Sequence, residues 1–141
     1  MPTVDNRGIQ IHYEVHGIGH PIVLIHGGTV SFKNNYADFG WIESLNNNGL
    51  QVIGLDLRGH GKSGKPHEIE SYGTSNLASD VVAVLDQLSL ARVSIVAYSI
   101  GTAVALHLLQ SAPERFDRAA LIATGDGLIG HLPHTFANIL P

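Results

Sequence analysis

Ser99 lies in a segment that could present it as a nucleophile. Residues 97–101 read AYSIG, with a short β-branched stretch before them, 92–96, and a small-residue, leucine-rich stretch after them, 101–109. A strand, a sharp turn and a helix in this order form a nucleophile elbow, which raises the serine hydroxyl beside the free N–H groups of the helix. The alternative is a serine that only caps the helix.

The turn of such an elbow is tight, so small residues are needed two positions before and two positions after the serine. Ala97 and Gly101 occupy these positions. Glycine suits both, and the methyl group of Ala97 does not block the turn. The pentapeptide alone also fits a simple cap, and the other polar motifs of the chain decide in favour of the elbow.

The composition predicts one globular domain over residues 1–141. The chain is 44% hydrophobic and 14% charged, which is typical of a folded rather than a disordered chain. A net charge of −4 argues against a nucleic-acid surface, and there is no cysteine for a disulfide or a thiolate. No signal peptide and no apolar run long enough to span a bilayer is visible, so we expect a cytoplasmic protein without a membrane partner.

Apolar periodicity predicts alternating strands and helices. Strands are predicted at 3–5, 9–16, 22–25, 52–57, 93–96 and 119–123, and helices at 36–47, at 74–88 with Thr74 or Ser75 as cap, and after Ser99. This order predicts the α/β class, with a mostly parallel sheet of about six strands and helices on both faces. Ligands of such folds bind at the carboxyl ends of the strands.

Four polar motifs follow four of the predicted strands. They are His26-Gly27-Gly28-Thr29, Arg58-Gly59-His60-Gly61-Lys62-Ser63-Gly64, Ser99 in its turn, and Thr124-Gly125-Asp126-Gly127. Because the carboxyl ends of parallel strands meet at one edge of a sheet, these motifs are expected to lie together. The sequence therefore predicts a site at this edge.

The order and spacing of three of these motifs resemble those of the α/β-hydrolases. The resemblance rests on His26-Gly27-Gly28, on the run from Asp56 to Ser63 (DLRGHGKS), and on the segment 97–101. It covers the whole chain and points to the serine-nucleophile, esterase- or lipase-like branch. By length the chain resembles about the N-terminal half of that fold, without its C-terminal strands.

The resemblance implies a role for each matching residue. Ser99 would be the nucleophile, and the backbone N–H groups of Gly28 and Ile100 would form the oxyanion hole. The residues given structural roles are His26, Gly27, Gly101 and the turn Arg58-Gly59-His60-Gly61. The implied reaction is acyl transfer from small ester-like carbonyl substrates, without a cofactor or metal. A serine at the elbow argues against epoxide or haloalkane hydrolysis, for which the family uses a carboxylate nucleophile.

A serine hydrolase also needs a base and an acid that orients the base. In the family the histidine follows the last strand, which has no counterpart in this chain. Three explanations stay open: a second half elsewhere, completion by another copy or partner, or a triad with Asp126 as acid and His131 or His134 as base. The alternative for the two histidines is that they are solvent-exposed residues of the tail.

The C-terminal part of the chain predicts an association. The strand 119–123 is apolar on both faces yet forms an edge, and the tail 128–140 carries many apolar residues. Exposed apolar edges invite pairing. We therefore expect this edge and tail to be buried in a homo-oligomer or against a complementing second half, with 127–141 as the start of a lid-like or assembly segment.

Two other function classes stay open beside a hydrolase with a small-molecule substrate. The missing histidine favours a catalytically silent domain that serves in binding or assembly. The segment 125–130, GDGLIG, satisfies the dinucleotide-binding pattern after a strand. Asp126 would place a carboxylate beside the pyrophosphate, which argues against that interpretation.

Overall fold

The computed structural model describes residues 2–124, which form a sheet of six strands with helices on both faces. The elements are β1 (Thr3–Asn6), β2 (Ile9–His16), β3 (His20–Ile25), α1 (Phe32–Asn35), α2 (Trp41–Asn46), β4 (Leu50–Leu55), α3 (Thr74–Gln87), β5 (Val93–Tyr98), α4 (Ile100–Ser111) and β6 (Phe116–Ile122). Short 3-10 turns lie at Ala37–Phe39, Ile69–Tyr72 and Pro113–Arg115. The predicted α/β class and six-stranded sheet are confirmed.

The strand order is β1-β2-β4-β3-β5-β6. Strand β2 is antiparallel to both of its neighbours, β1 and β4, whereas β4, β3, β5 and β6 run parallel to one another. From β3 the chain first adds β4 on one side and then crosses to add β5 on the other. The order therefore reverses at β3, and a crevice at the carboxyl ends of β3 and β5 is where such a sheet binds ligands.

Alternation along the central strands divides the core into two layers. In β3, Val23 and Ile25 pack with α3 and α4, while Ile22 and Leu24 pack with Phe32 and the rest of the 32–45 region on the opposite face. All four of these β3 residues are buried, as a central parallel strand requires. The sheet therefore has a packed layer of side chains on each face, and these layers support the loops that follow β3 and β5.

The predicted strands 3–5 and 9–16 form a hairpin, whereas the predicted helix 36–47 is not present as one helix. Arg7 and Gly8 both have positive φ, 55° and 85°, as a two-residue turn between twisted strands requires. The predicted helix 36–47 is wrong, since a 3-10 turn precedes Gly40, whose φ of 79° separates it from α2. The predicted side-chain cap of α3 is also wrong, because Gly73 precedes that helix.

The last strand differs from its predicted range, 119–123. β6 begins at Phe116 and ends at Ile122, and residues 117–120 are exposed. Within residues 2–124, β6 pairs with β5 and with no strand on its outer side. The association predicted for this edge stays a prediction, and its tail, 128–140, lies outside the described residues.

No helix within residues 2–124 is long and apolar enough to cross a membrane.

Candidate functional site

Ser99 has a strained backbone, and the fold holds it in place. Its φ of 54° and ψ of −120° lie in a region that residues other than glycine rarely adopt. The Ser99 N–H donates to the carbonyl of Ile122 at 2.9 Å, and the Ser99 carbonyl accepts from the Thr102 N–H and hydroxyl. These bonds tie the turn to β6 and to the first turn of α4, so the strand–turn–helix predicted around Ser99 is present.

Close packing explains why a glycine follows two positions after Ser99. A Cβ atom on Gly101 would lie 2.7 Å from the carbonyl oxygens of Ile25 and His26, well inside van der Waals contact. Ala97, two positions before the serine, is fully buried. The helix after the turn therefore touches the end of β3 directly.

A cavity of about 520 Å³ opens at the carboxyl ends of β3 and β5. Ser99 lines it together with Gly27 and Gly28 from the loop after β3. Four aromatic side chains complete much of its wall: Tyr36, Phe39, Trp41 and Tyr98. The cavity thus combines the Ser99 hydroxyl, glycine backbone and aromatic rings, and Asn34 and Asn35 also line it. This composition is typical of a small-molecule site.

Two backbone N–H groups beside Ser99 have no acceptor within residues 2–124. One belongs to Ile100, the first residue of α4, and the other to Gly28. The two residues are neighbours, since a Cβ on Gly28 would lie 3.6 Å from Cγ2 of Ile100. Unpartnered N–H groups next to a nucleophile can stabilise the negative charge of a tetrahedral intermediate.

The buried ring of His26 joins the loop after β3 to the loop after β4. Its Nε2 accepts from the Leu57 N–H at 3.0 Å, and its Nδ1 lies 2.7 Å from the Gly27 carbonyl oxygen. Burial lowers the pKa of His26. The ring is therefore neutral with the proton on Nδ1, which donates to Gly27. Both ring nitrogens are occupied, so His26 lacks the free nitrogen that a general base for Ser99 needs.

This bond also orients the N–H of Gly28. The Gly27 carbonyl and the Gly28 N–H belong to one planar trans peptide and point in opposite directions. Holding the carbonyl toward His26 therefore turns the Gly28 N–H away from it.

The turn after β4 is anchored by a buried ion pair. Arg58 and Asp80 are about 5% and 0% exposed, and Nη2 of Arg58 lies 2.7 Å from Oδ1 of Asp80. The same carboxylate accepts from the Arg58 N–H and from the Asn6 side chain. His60 donates to the Arg58 carbonyl, and its ring packs against that of His26 at a tilt of 56°, with 4.9 Å between the ring centroids. Arg58, His60 and Asp80 thus all have partners within the protein, which fits the structural role predicted for this turn.

Asp56 links the same turn to α1. Its two carboxylate oxygens accept from the N–H groups of Phe32 and Lys62, each at 2.9 Å. Gly59 and Gly61 have positive φ, 80° and 49°, and a side chain on Gly61 would overlap the Asp56 carboxylate. Gly59 and Gly61 therefore allow the backbone of this turn to adopt its shape, and Gly61 also leaves room for the Asp56 carboxylate.

The acid and base predicted for Ser99 fall on residues after position 124. Asp126, His131 and His134 lie outside the described residues, as does the segment 125–130. Within residues 2–124, the Ser99 hydroxyl has no hydrogen-bond partner.

Sequence reasoning missed two polar residues beside this site. Asp80 carries no local signal, because it lies on the α3 face that packs inward and pairs across 22 positions. Asn35 accepts from the Gly27 N–H at 2.8 Å. A run of two asparagines shortly after His26-Gly27-Gly28 was the available signal for it.

Comparison with known proteins identifies one family and several proteins that are similar to this chain. The family described as alpha/beta hydrolase fold matches residues 20–140. The AB hydrolase superfamily protein YfhM of Bacillus subtilis is 33% identical over 143 residues, covering 98% of this chain and 46% of its own length. An epoxide hydrolase from Vigna radiata superposes with a TM-score of 0.78 at 28% identity, covering 87% of this chain and 38% of that one.

A third relative is described as an N-acyl homoserine lactone degrading enzyme, Est816. It has a TM-score of 0.78 and 33% identity, with 97% of this chain and 51% of that one covered. The chain thus spans about half the length, or less, of these relatives. The match of the family over residues 20–140, together with the shared sheet, shows that this chain belongs to the α/β-hydrolase fold family.

Proposed function

We propose that the protein is a serine hydrolase of small ester-like carbonyl compounds, with Ser99 as nucleophile and the N–H groups of Gly28 and Ile100 as oxyanion hole. One observation carries the proposal: Ser99 is held at a φ of 54° on its turn, beside two N–H groups that lack an acceptor within residues 2–124. Strain of this kind persists where surrounding contacts hold a functional group in place.

The reaction has two halves. The Ser99 oxygen attacks the carbonyl carbon and loses its proton to a base, and the carbonyl oxygen becomes an oxyanion that accepts from Gly28 and Ile100. The intermediate collapses to an acyl-enzyme and releases the alcohol, and water then releases the acid. Loss of one such donor costs about 3 kcal/mol of transition-state stabilisation in other hydrolases. Asp126, His131 and His134, or a complementing polypeptide, are the proposed sources of the acid and base.

The cavity suggests an apolar acyl or aryl group on the substrate. Tyr36, Trp41 and Tyr98 line it, and Phe39 lies there 75% exposed. Aromatic surface of this extent binds apolar groups through burial. The Vigna radiata relative is named an epoxide hydrolase. For this chain we propose carbonyl chemistry instead, because Ser99 occupies the position at which epoxide hydrolases of the family carry a carboxylate.

A catalytically silent domain is the second candidate. The observation in its favour is that the Ser99 hydroxyl has no hydrogen-bond partner within residues 2–124. Without a base the hydroxyl is a weak nucleophile.

A fluorophosphonate probe together with p-nitrophenyl acetate hydrolysis separates the two candidates. The wild-type protein is expected to be labelled and to turn over the ester, and Ser99→Ala to lose both. Ser111→Ala is the matched control, because Ser111 lies at the far end of the same helix and its hydroxyl donates to the His107 carbonyl, away from Ser99. An unlabelled wild-type protein would favour the silent domain. Hydrolysis of styrene oxide in place of the ester would refute the carbonyl chemistry.

A further inference from the structure

The loop that carries the proposed oxyanion donor is held at two adjacent peptide groups. The peptide between Gly27 and Gly28 is held through its carbonyl by His26. The preceding peptide, between His26 and Gly27, is held through its N–H, which donates to Oδ1 of Asn35 at 2.8 Å. Both planes that meet at the Gly27 Cα therefore have a side-chain partner.

Gly27 has no side chain that could fix its backbone, so its two hydrogen-bond partners help to set its conformation. Glycine has more backbone freedom than any other residue, so its φ and ψ must be set by bonds to its neighbours. A Cβ on Gly27 would lie 3.1 Å from the Tyr98 ring and 3.4 Å from Cβ of Ser99, so a side chain there would require its neighbours to shift by a few tenths of an ångström. Gly27 is buried, and an N–H left without a partner there is costly.

Asn35 is itself held in place by contacts of the residues on either side of it. It ends α1, whose first N–H, that of Phe32, donates to the buried Asp56 carboxylate. The next residue, Tyr36, is almost fully buried and donates its hydroxyl to the carbonyl of Ile25, at the end of β3. Asn35 is thus held between two points that are tied to the sheet.

We propose that Asn35 is a positioning residue for the oxyanion hole. Asn35 holds the peptide before Gly27 and His26 holds the peptide after it, so the two together set the φ and ψ of Gly27 and keep the Gly28 N–H aimed at the oxygen of the intermediate. The assignment rests on the proposed function, because it requires the Gly28 N–H to bind the oxyanion.

The test compares Asn35→Leu, Asn35→Asp and wild type by amide hydrogen exchange at Gly27 and by ester kinetics. Asn35→Leu removes the acceptor, so Gly27 exchange is expected to accelerate by at least about tenfold, and kcat to fall by roughly 10- to 100-fold with KM changed by less than about threefold. Asn35→Asp retains an accepting oxygen and is expected to restore slow exchange. Asn34→Leu is the matched control and leaves Gly27 exchange unchanged, because Asn34 bonds Ser31 and Asp38 instead.

Each failure has its own signature. Unchanged Gly27 exchange in Asn35→Leu overturns the assignment, because the bond then does not hold the loop. Faster exchange with an unchanged kcat also overturns it, since the role would be structural alone. Turnover that survives Ser99→Ala overturns the proposed function, and the role of Asn35 with it, in a variant separate from those that test Asn35.

Discussion

Replacing Gly101 by alanine should displace the helix that follows Ser99. The added methyl carbon would lie 2.7 Å from two backbone oxygens, those of Ile25 and His26, where ordinary contacts are 3.4–4 Å. Helix α4 must therefore move from the end of β3 by the difference, about 0.7 Å. Neither oxygen can yield easily, because both belong to the backbone at the end of the central strand.

Two consequences of Gly101→Ala can be measured separately. Overpacking of a tight core contact costs about 1–3 kcal/mol of the free energy of unfolding, which urea denaturation would report. A shift of this size between Ser99 and Gly28 should slow labelling by a fluorophosphonate by up to about 100-fold. Both effects arise from one contact, so they should appear together.

Gly73→Ala is the matched control for this substitution. No atom lies within 4 Å of a Cβ built there, and the φ of −60° suits alanine. We expect its free energy of unfolding to change by less than about 1 kcal/mol. If Gly101→Ala unfolds at the same urea concentration as wild type and is labelled as fast, the contact does not constrain the elbow and the reasoning is refuted.

Three further predictions concern stability, pH and association. Asp80→Asn leaves its buried arginine partner without a counter-charge and should lower the free energy of unfolding in urea by about 3–5 kcal/mol. Lys33→Ala, in an exposed ion pair, should lower it by less than about 1 kcal/mol. Equal losses in the two variants would contradict this prediction. Burial lowers the pKa of His26 below its ordinary 6.5, so this ring takes up its proton in the unfolded chain at a higher pH than in the folded protein, and the free energy of unfolding should fall as the pH drops below 6.5. In His26→Asn this decline between pH 8 and 5 should be shallower. An unchanged slope would refute the prediction. The edge 119–123 and the tail 128–140 should associate with a second copy or a complementing polypeptide, and light scattering that shows a monomer at every concentration would count against this.

The strands and the elbow could be predicted because their signals are local. Residues 22–25 are all apolar, and such an unbroken run predicts a strand that is buried on both faces. Val23 and Ile25 indeed pack on one face, and Ile22 and Leu24 on the other. The position of Ser99 between a β-branched stretch and a leucine-rich one is equally local. These predictions depend on neighbours in the chain, so no tertiary contact was needed to make them.

The region 36–47 could not be predicted from its periodicity. Apolar residues at helical spacing indicated one helix, whereas Gly40 has a φ of 79° and breaks the segment in two. At the start of this segment Tyr36 packs into the core and donates its hydroxyl to the carbonyl of Ile25. A long-range contact here outweighs a weak local preference.

By itself, the sequence determined that Ser99 lies in a turn between a strand and a helix, which positions must be small, and that the polar motifs follow strands, since side-chain chemistry and alternation are properties of the chain. The tertiary structure alone decided which polar groups serve as supports. Asp80 pairs with Arg58 across 22 positions, and His26 accepts from Leu57 across 31. Asn35 reaches Gly27 only because α1 folds back over the end of β3. Such pairings depend on where the sheet brings distant backbone groups together, which no local pattern records.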